Sequence, residues 1–277
     1  MRVLIRGAGD LASGVAQALW RAGMEILMTE IAKPLAVRRG AALAQAVYDG
    51  VARVEDMEGR LVENIEPVRR VIADGAIPVL LDANLRSLAE FSPQVLIDAT
   101  LAKKNYGLSC GIAPFMLALG PGFIAGQDVD VVIETMRGND LGRLIYKGEA
   151  LPDSGIPGLV GGYSAERLLR ANADGRFSQE RNIGDMVEMG EIVAHCGEKP
   201  LVALIDGCLR GLLQQGLIVK AGMKVGDIDP HCEKEVCFTI SDKARALGGA
   251  ALVAIMQWTS GLLIKSSTVK YQERDRV

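Results

Sequence analysis

Over its first thirty residues the chain reads strand, glycine turn, helix, strand, and this order constrains the fold more than any other feature. Residues 3–5 form a short apolar run that ends in Gly7-Ala8-Gly9-Asp10. Val15, Ala16, Leu19 and Trp20 then recur at helical spacing until Gly23, and residues 25–30 form a second strand. A glycine pattern alone is weak, but between a strand and a helix it becomes a nucleotide-binding fingerprint. Gly7 would permit the tight turn, Gly9 would let the backbone approach a phosphate, and Ala12 would let the helix pack closely on the sheet. The free N–H groups and dipole of the helix start favour an anion there. Glu30 closes the second strand at about the spacing of an acid that binds a ribose hydroxyl.

Asp10 complicates a plain dinucleotide site, because it follows Gly9 where a pyrophosphate would lie. Its carboxylate either caps the helix or faces a metal ion, an amine or a pterin ring. Lys33, Arg38 and Arg39 read first as a solvated basic surface, with phosphate binding as the alternative. Apolar runs at 77–82 and 95–99 have strand length and bring Asp82 and Asp98 to strand ends, where open parallel sheets bind ligands. A further strand at 115–119 enters a turn whose Gly120 and Gly122 allow close backbone approach. Residues 131–137 and 142–146 flank Gly138-Asn139-Asp140 and read as a hairpin. Arg137 and Arg143 beside that turn suit bidentate phosphate recognition, and a salt bridge from Glu134 to one of them is the structural alternative.

The second half carries a duplication. Gly184, Val187, Gly190 and Val193 recur as Gly216, Val219, Gly222 and Val225, which suggests a quasi-symmetric β structure. Residues 176–230 resemble biotinyl/lipoyl-type barrel-sandwich hybrids. The lysine those carrier domains modify has no counterpart, since Lys199 lacks a preceding Met, so no carrier function is expected. The expected fold is therefore α/β. A Rossmann-like parallel-sheet domain over 1–130 precedes a small, mostly β, barrel-sandwich-hybrid-like domain over 131–277 that includes a C-terminal helix.

Composition narrows the function. Lys plus Arg number 31 against 34 Asp plus Glu, a net charge of −3, so the chain lacks the basic footprint of a nucleic-acid binder. No apolar run reaches membrane-spanning length, and the opening residues run straight into a strand rather than a signal peptide. Five cysteines, an odd number, suit a reducing compartment, and a cytoplasmic location is expected. The two histidines, His195 and His231, each precede a cysteine, but with Cys208 and Cys237 they lack the close paired spacing of a zinc site. No metal is expected. Cys110 reads as structural, with a reactive thiol as the alternative. No Gly-Lys-Ser/Thr phosphate loop occurs.

Several segments taken in order resemble one family. These are Arg6-Gly7-Ala8-Gly9-Asp10, Leu119-Gly120-Pro121-Gly122-Phe123 and Glu134-Thr135-Met136-Arg137-Gly138. Leu141-Gly142-Arg143, Gly207-x-x-Arg210-Gly211, Asp227-Ile228-Asp229-Pro230 and Ile240-Ser241-Asp242-Lys243-Ala244 follow. Together they are similar to the YqeB-type accessory proteins of selenium-dependent molybdenum hydroxylases, and the first half is similar to XdhC-type chaperones. The resemblance implies a maturation role, with a molybdopterin dinucleotide-type cofactor as ligand and a selenium-dependent molybdenum hydroxylase as partner. It transfers no catalytic residues. Gly7, Gly9, Asp10, Ala12, Glu30, Gly120, Gly122, Arg137 and Arg143 are the expected cofactor contacts. An NAD(P)-dependent oxidoreductase, or an interaction protein with a vestigial nucleotide site, are the alternative readings.

Overall fold

A computed structural model describes residues 1–153, 155, 158–231 and 233–262. β1 (Arg2–Arg6) and β2 (Glu25–Glu30) lie in parallel, joined over one face by α1 (Asp10–Arg21). The chain continues through α2 (Ala46–Asp49), β3 (Val51–Val54), β4 (Met57–Val62), α3 (Val68–Ala73), β5 (Ile77–Leu81) and α4 (Leu88–Phe91). It then forms β6 (Val95–Asp98), β7 (Phe115–Leu119), β8 (Val131–Ile133) and β9 (Leu144–Ile145). These nine strands make one sheet in the order β3-β4-β5-β2-β1-β6-β7-β8-β9. The seven inner strands are parallel, and β3 and β9 pair antiparallel at the edges. Strand order reverses at β1, with β2 on one side and β6 on the other, so a crevice opens beyond their carboxyl ends.

The strands read as unbroken apolar runs because both faces are covered. Their side chains alternate between two cores. Val3, Ile5, Met28, Ile97 and Leu117 share a core with α1, whereas Leu4, Leu27, Leu96 and Met116 share one with residues of α3 and α4. A last helix, α5 (Asp242–Thr259), covers the first face through Leu247, Ala251 and Ile255. It crosses α1 at glycines: a Cβ built on Gly14 would lie 2.5 Å from the Ala244 Cβ, and one on Gly248 only 2.6 Å from the Gly14 carbonyl oxygen. Trp258 stacks on Phe115, with ring centroids 5.2 Å apart.

Between β9 and α5 the chain forms two four-stranded antiparallel sheets. β10 (Leu168–Arg170), β12 (Met186–Val187), β15 (Gly207–Leu212) and β17 (Lys224–Asp229) make one of them. β11 (Gly175–Gln179), β13 (Ile192–Cys196), β14 (Lys199–Val202) and β16 (Ile218–Val219) make the other. Their shared core includes Phe177, Val193, Leu209 and Val225. The duplication seen in the sequence is structural. β12 and β16 are matched strands in opposite sheets, as are β13 and β17, and Gly184, Gly190, Gly216 and Gly222 all turn with φ between +85° and +94°.

The chain is thus α/β, with a large mostly parallel sheet and two antiparallel ones. The expected division at 130/131 does not follow these sheets. β8 pairs with β7, and α5 packs on α1, so both ends of the 131–277 segment build the first unit. The expected hairpin at 131–146 exists, but β8 stops at Ile133. The buried Glu134 carboxylate accepts the N–H groups of Thr135, Met136 and Leu151, which fixes the turn that follows the strand. Arg39 ties the two units together, donating to the Leu212 carbonyl at 2.7 Å and to the side chains of Gln214 and Gln179. Among the described residues no helix is long and apolar enough to cross a membrane.

Candidate anion-binding cleft

A cleft of 410 Å³ lies where the carboxyl ends of the parallel strands face the antiparallel unit. The sheet side contributes Asp10 after β1, Leu101 and Lys103 after β6, Pro121 after β7 and Thr135 to Arg137 after β8. Arg167, Arg210, Lys224 and Asp227 come from the antiparallel unit, and Ser241 and Lys243 from the start of α5. Seven lining residues are basic (Arg38, Lys103, Arg137, Arg167, Arg210, Lys224, Lys243) and three are acidic (Asp10, Asp153, Asp227). In a chain of net charge −3, that concentration of cations makes the cleft a candidate anion site. A cavity of 670 Å³ at the opposite, amino ends of the strands is nearly balanced, with Arg2 and Arg69 against Glu25, Glu66 and Glu90.

Several of the cations are held by partners. Arg167 and Asp227 form a buried pair at 2.6 Å, and Arg210 sits 3.3 Å from Asp229. Arg137 grips Asp242 with two bonds of 2.7 and 2.9 Å, which keeps that carboxyl well below the usual carboxylate range. Lys103 pairs with Asp153 on the rim, and Arg38 lies 3.5 Å from Asp10. Lys224 and Lys243 have no ion-pair partner among the described residues. Both ammonium groups titrate below the ordinary lysine value. Surrounding protein displaces water from them, and Arg167 and Arg210 crowd Lys224 while Arg137 crowds Lys243. The Arg38 guanidinium is lowered too, by desolvation and then by Arg210. The Nε atoms of Arg38 and Arg210 are sealed by protein and lack a hydrogen-bond partner among the described residues, so the donors left for a ligand are the ammonium groups of Lys224 and Lys243.

Of the nine expected contacts, Asp10 and Arg137 line this cleft and the other seven do not. Asp10 opens α1 but its side chain does not cap the helix. The N-cap is Gly9, which has no side-chain bond, and Asp10 turns to Arg38 instead. Gly9 borders open space, whereas Gly7, at φ +95°, would press a Cβ against the backbone of Ala99 and Thr100. Ala12 is buried in the core under the helix. Glu30 folds back on the glycine turn, accepting the Ala8 N–H at 2.9 Å and the Ile31 N–H at 2.8 Å. It therefore uses up one N–H donor of the glycine turn. Gly120 faces Thr135, and Gly122 backs the 103–104 loop so closely that a Cβ would lie 2.4 Å from the Lys104 nitrogen. These glycines shape the rim rather than touch the cavity. Arg143 is exposed and pairs with Asp140.

Other expectations change as well. Arg38 is buried and donates to the carbonyls of Val236 and Thr239, and Arg39 bridges the units, so neither belongs to a solvated surface; Lys33 is exposed. Glu134 binds backbone rather than an arginine. Asp82 holds the N–H groups of Arg86 and Ser87, and Asp98 holds Thr100 and pairs with Arg6 at 3.4 Å, so both acids brace loops outside the cleft. Cys110 is exposed, but desolvation raises its thiol, the opposite of an activated nucleophile. His195 pairs with Glu180 at 3.2 Å, the Cys208 and Cys237 sulfurs touch at 3.5 Å, and Cys232 lies outside the described residues.

Glu30 gives a pH-dependent expectation. Burial raises its carboxyl above the ordinary 4.5 more than its two N–H donors lower it. The folded state therefore binds this proton more tightly than the unfolded chain, and the charged form costs stability at neutral pH. As pH falls from neutral through this raised value to below the ordinary 4.5, the wild type should gain stability relative to Glu30→Gln. Urea midpoints of both proteins across that range measure it, and a constant difference would contradict it.

Among known proteins, the chain is 44% identical over 254 residues to a protein of Escherichia coli K12 with the name "Uncharacterized protein YqeB". It is similar to YqeB. The match covers 92% of this chain and 47% of YqeB, so the chain spans about half the length of that relative. No protein-family model matches. Solved structures that align include an aspartoacylase family protein from Mesorhizobium loti, at 13% identity over 84% of this chain and 86% of that one. A succinylglutamate desuccinylase/aspartoacylase from Rhodobacter sphaeroides aligns at 15% identity with the same coverage. Both have a TM-score of 0.28, too low to inform the fold or the site.

Proposed function

We propose that this chain binds a phosphorylated, nucleotide-type cofactor in the cleft between its parallel sheet and its antiparallel unit, and serves as an accessory protein in maturing a molybdenum enzyme. The observation that carries the binding half is the set of seven basic against three acidic residues converging beyond the carboxyl ends of the strands. The strand order β5-β2-β1-β6-β7-β8 follows the Rossmann-like pattern, which binds dinucleotides at the point where the order reverses. The paired antiparallel sheets with their duplicated glycine turns fit a barrel-sandwich-hybrid-like module that closes the cleft. The donor set suits a diphosphate: Lys224 and Lys243 would hold it, with the charges of Arg38 and Arg210 beside them and Arg137 at the rim.

The similarity to YqeB and the family motifs direct this reading to a molybdopterin dinucleotide-type cofactor, with a selenium-dependent molybdenum hydroxylase as the partner. Native mass spectrometry of protein made in a molybdenum-cofactor-competent host tests it. The expected result is a co-purified pterin or nucleotide, or a raised melting temperature on adding one. Protein that carries none and responds to none overturns the proposal. The NAD-dependent oxidoreductase reading keeps the support of the strand order. It loses that of Glu30, whose carboxylate is engaged by Ala8 and Ile31 rather than free for a ribose. Saturable NADH binding followed by fluorescence would restore it.

A further inference from the structure

We propose that Asp10 sets the selectivity of the cleft, excluding a bare di- or polyphosphate and admitting an anion that presents a hydrogen-bond donor beside its phosphate. This inference rests on the reading of the cleft as a phosphate site. It begins from the state of the acids there. Asp227 is buried against Arg167 at 2.6 Å, and Asp153 is paired with Lys103. Asp10 alone among the three lining acids lacks a short ion pair. Its nearest cation, an Arg38 nitrogen, is 3.5 Å away, and its carboxylate accepts no hydrogen bond among the described residues.

Asp10 is also central. Its charge acts on Arg38, Lys224 and Lys243, cations from three separate stretches of chain. The phosphate these cations attract must therefore come close to a carboxylate. Like charges at close range inside a protein repel strongly. Meanwhile Lys224 and Lys243 line the cleft and have no ion-pair partner among the described residues. The site thus offers unspent donors to an anion and an unspent acceptor beside them. Inorganic pyrophosphate satisfies the donors and meets the carboxylate with charge. A nucleotide satisfies both, because a hydroxyl or amino group can donate to Asp10 while the phosphates take the cations. The carboxylate would then discriminate between ligands by repelling one class and accepting a hydrogen bond from the other.

Isothermal titration of the wild type and Asp10→Asn with two probes, sodium pyrophosphate and ADP, tests this. The substitution keeps the shape and removes the charge. Asp10→Asn should bind pyrophosphate about tenfold more tightly, and the preference for ADP over pyrophosphate should fall by at least about tenfold. A preference that stays within about threefold of the wild type overturns the inference while leaving the cleft reading intact. Failure of both probes to bind either protein overturns the cleft reading and the inference with it. Lys224→Met combined with Lys243→Met locates the binding: it should abolish both signals, and unchanged binding would place the probes elsewhere and overturn both. Circular dichroism checks folding, and Asp10→Ser serves in place of Asp10→Asn should the latter not fold.

Discussion

Replacing Arg167 by alanine is expected to cost about 3–5 kcal/mol of stability, measured as the urea midpoint and slope of the transition of the antiparallel unit. Arg167 and Asp227 are 2.6 Å apart, with side chains only 11% and 5% exposed. The pair itself contributes modestly, because both charges lost their hydration when they were buried. Deleting one partner is different, since Asp227 then keeps its charge in a place with little water. Lys224 lies within electrostatic reach of Asp227 and offsets part of the loss, so the lower end of the range is expected. β10 would loosen as well, because Leu168 pairs with Asp227 across the β10–β17 ladder. Replacing both charges, with Arg167→Met and Asp227→Leu together, should recover most of the stability, as apolar groups of similar volume do at such sites. A single variant that loses less than about 1 kcal/mol would mean that water reaches the pair and screens it.

The first unit was legible because its signals are local. Apolar runs bounded by glycine set β2 and β7 at the residues observed, and β1 within one residue at each end. The duplicated glycine and valine positions announced the antiparallel unit, since each glycine sits at a turn that demands positive φ. The cleft was much less legible. Fingerprint reasoning assigns ligand contact to glycines, but Gly122 and Gly7 are required by neighbouring backbone rather than by a cavity. The cations that do line the site come from positions as distant as Arg38, Arg167, Arg210 and Lys243, and no spacing rule joins them. Their trace in the sequence was the Gly207-x-x-Arg210-Gly211 and Ser241-Asp242-Lys243 segments, present as motifs without an assigned chemistry. Arg38 looked like surface because nothing local reveals that residues 236–239 fold over it.

α5 shows how packing far from the cleft controls it. Ser241 caps this helix by accepting the Ala244 N–H, and the first turn delivers Asp242 to Arg137 and Lys243 to the cavity. That delivery depends on how closely α5 approaches α1, which Gly14 and Gly248 set. A Cβ on Gly14 would meet the Ala244 Cβ at 2.5 Å and its backbone at 2.8 Å, and backbone cannot rotate aside as a side chain can. Gly14→Val is therefore expected to cost about 3 kcal/mol, the upper end for overpacking, and to weaken ADP binding by moving Lys243. Gly249 supplies the opposite case on the same helix. It is exposed, and a Cβ there meets nothing within 4 Å. Gly249→Ala removes only the entropy penalty of glycine in a helix and should stabilise by about 0.5–1 kcal/mol with ADP affinity unchanged. Thermal melts and ADP titrations of the two variants decide the matter together. If Gly14→Val melts like the wild type, the helices tolerate a wider seam; if it melts lower but binds ADP normally, α5 does not position Lys243.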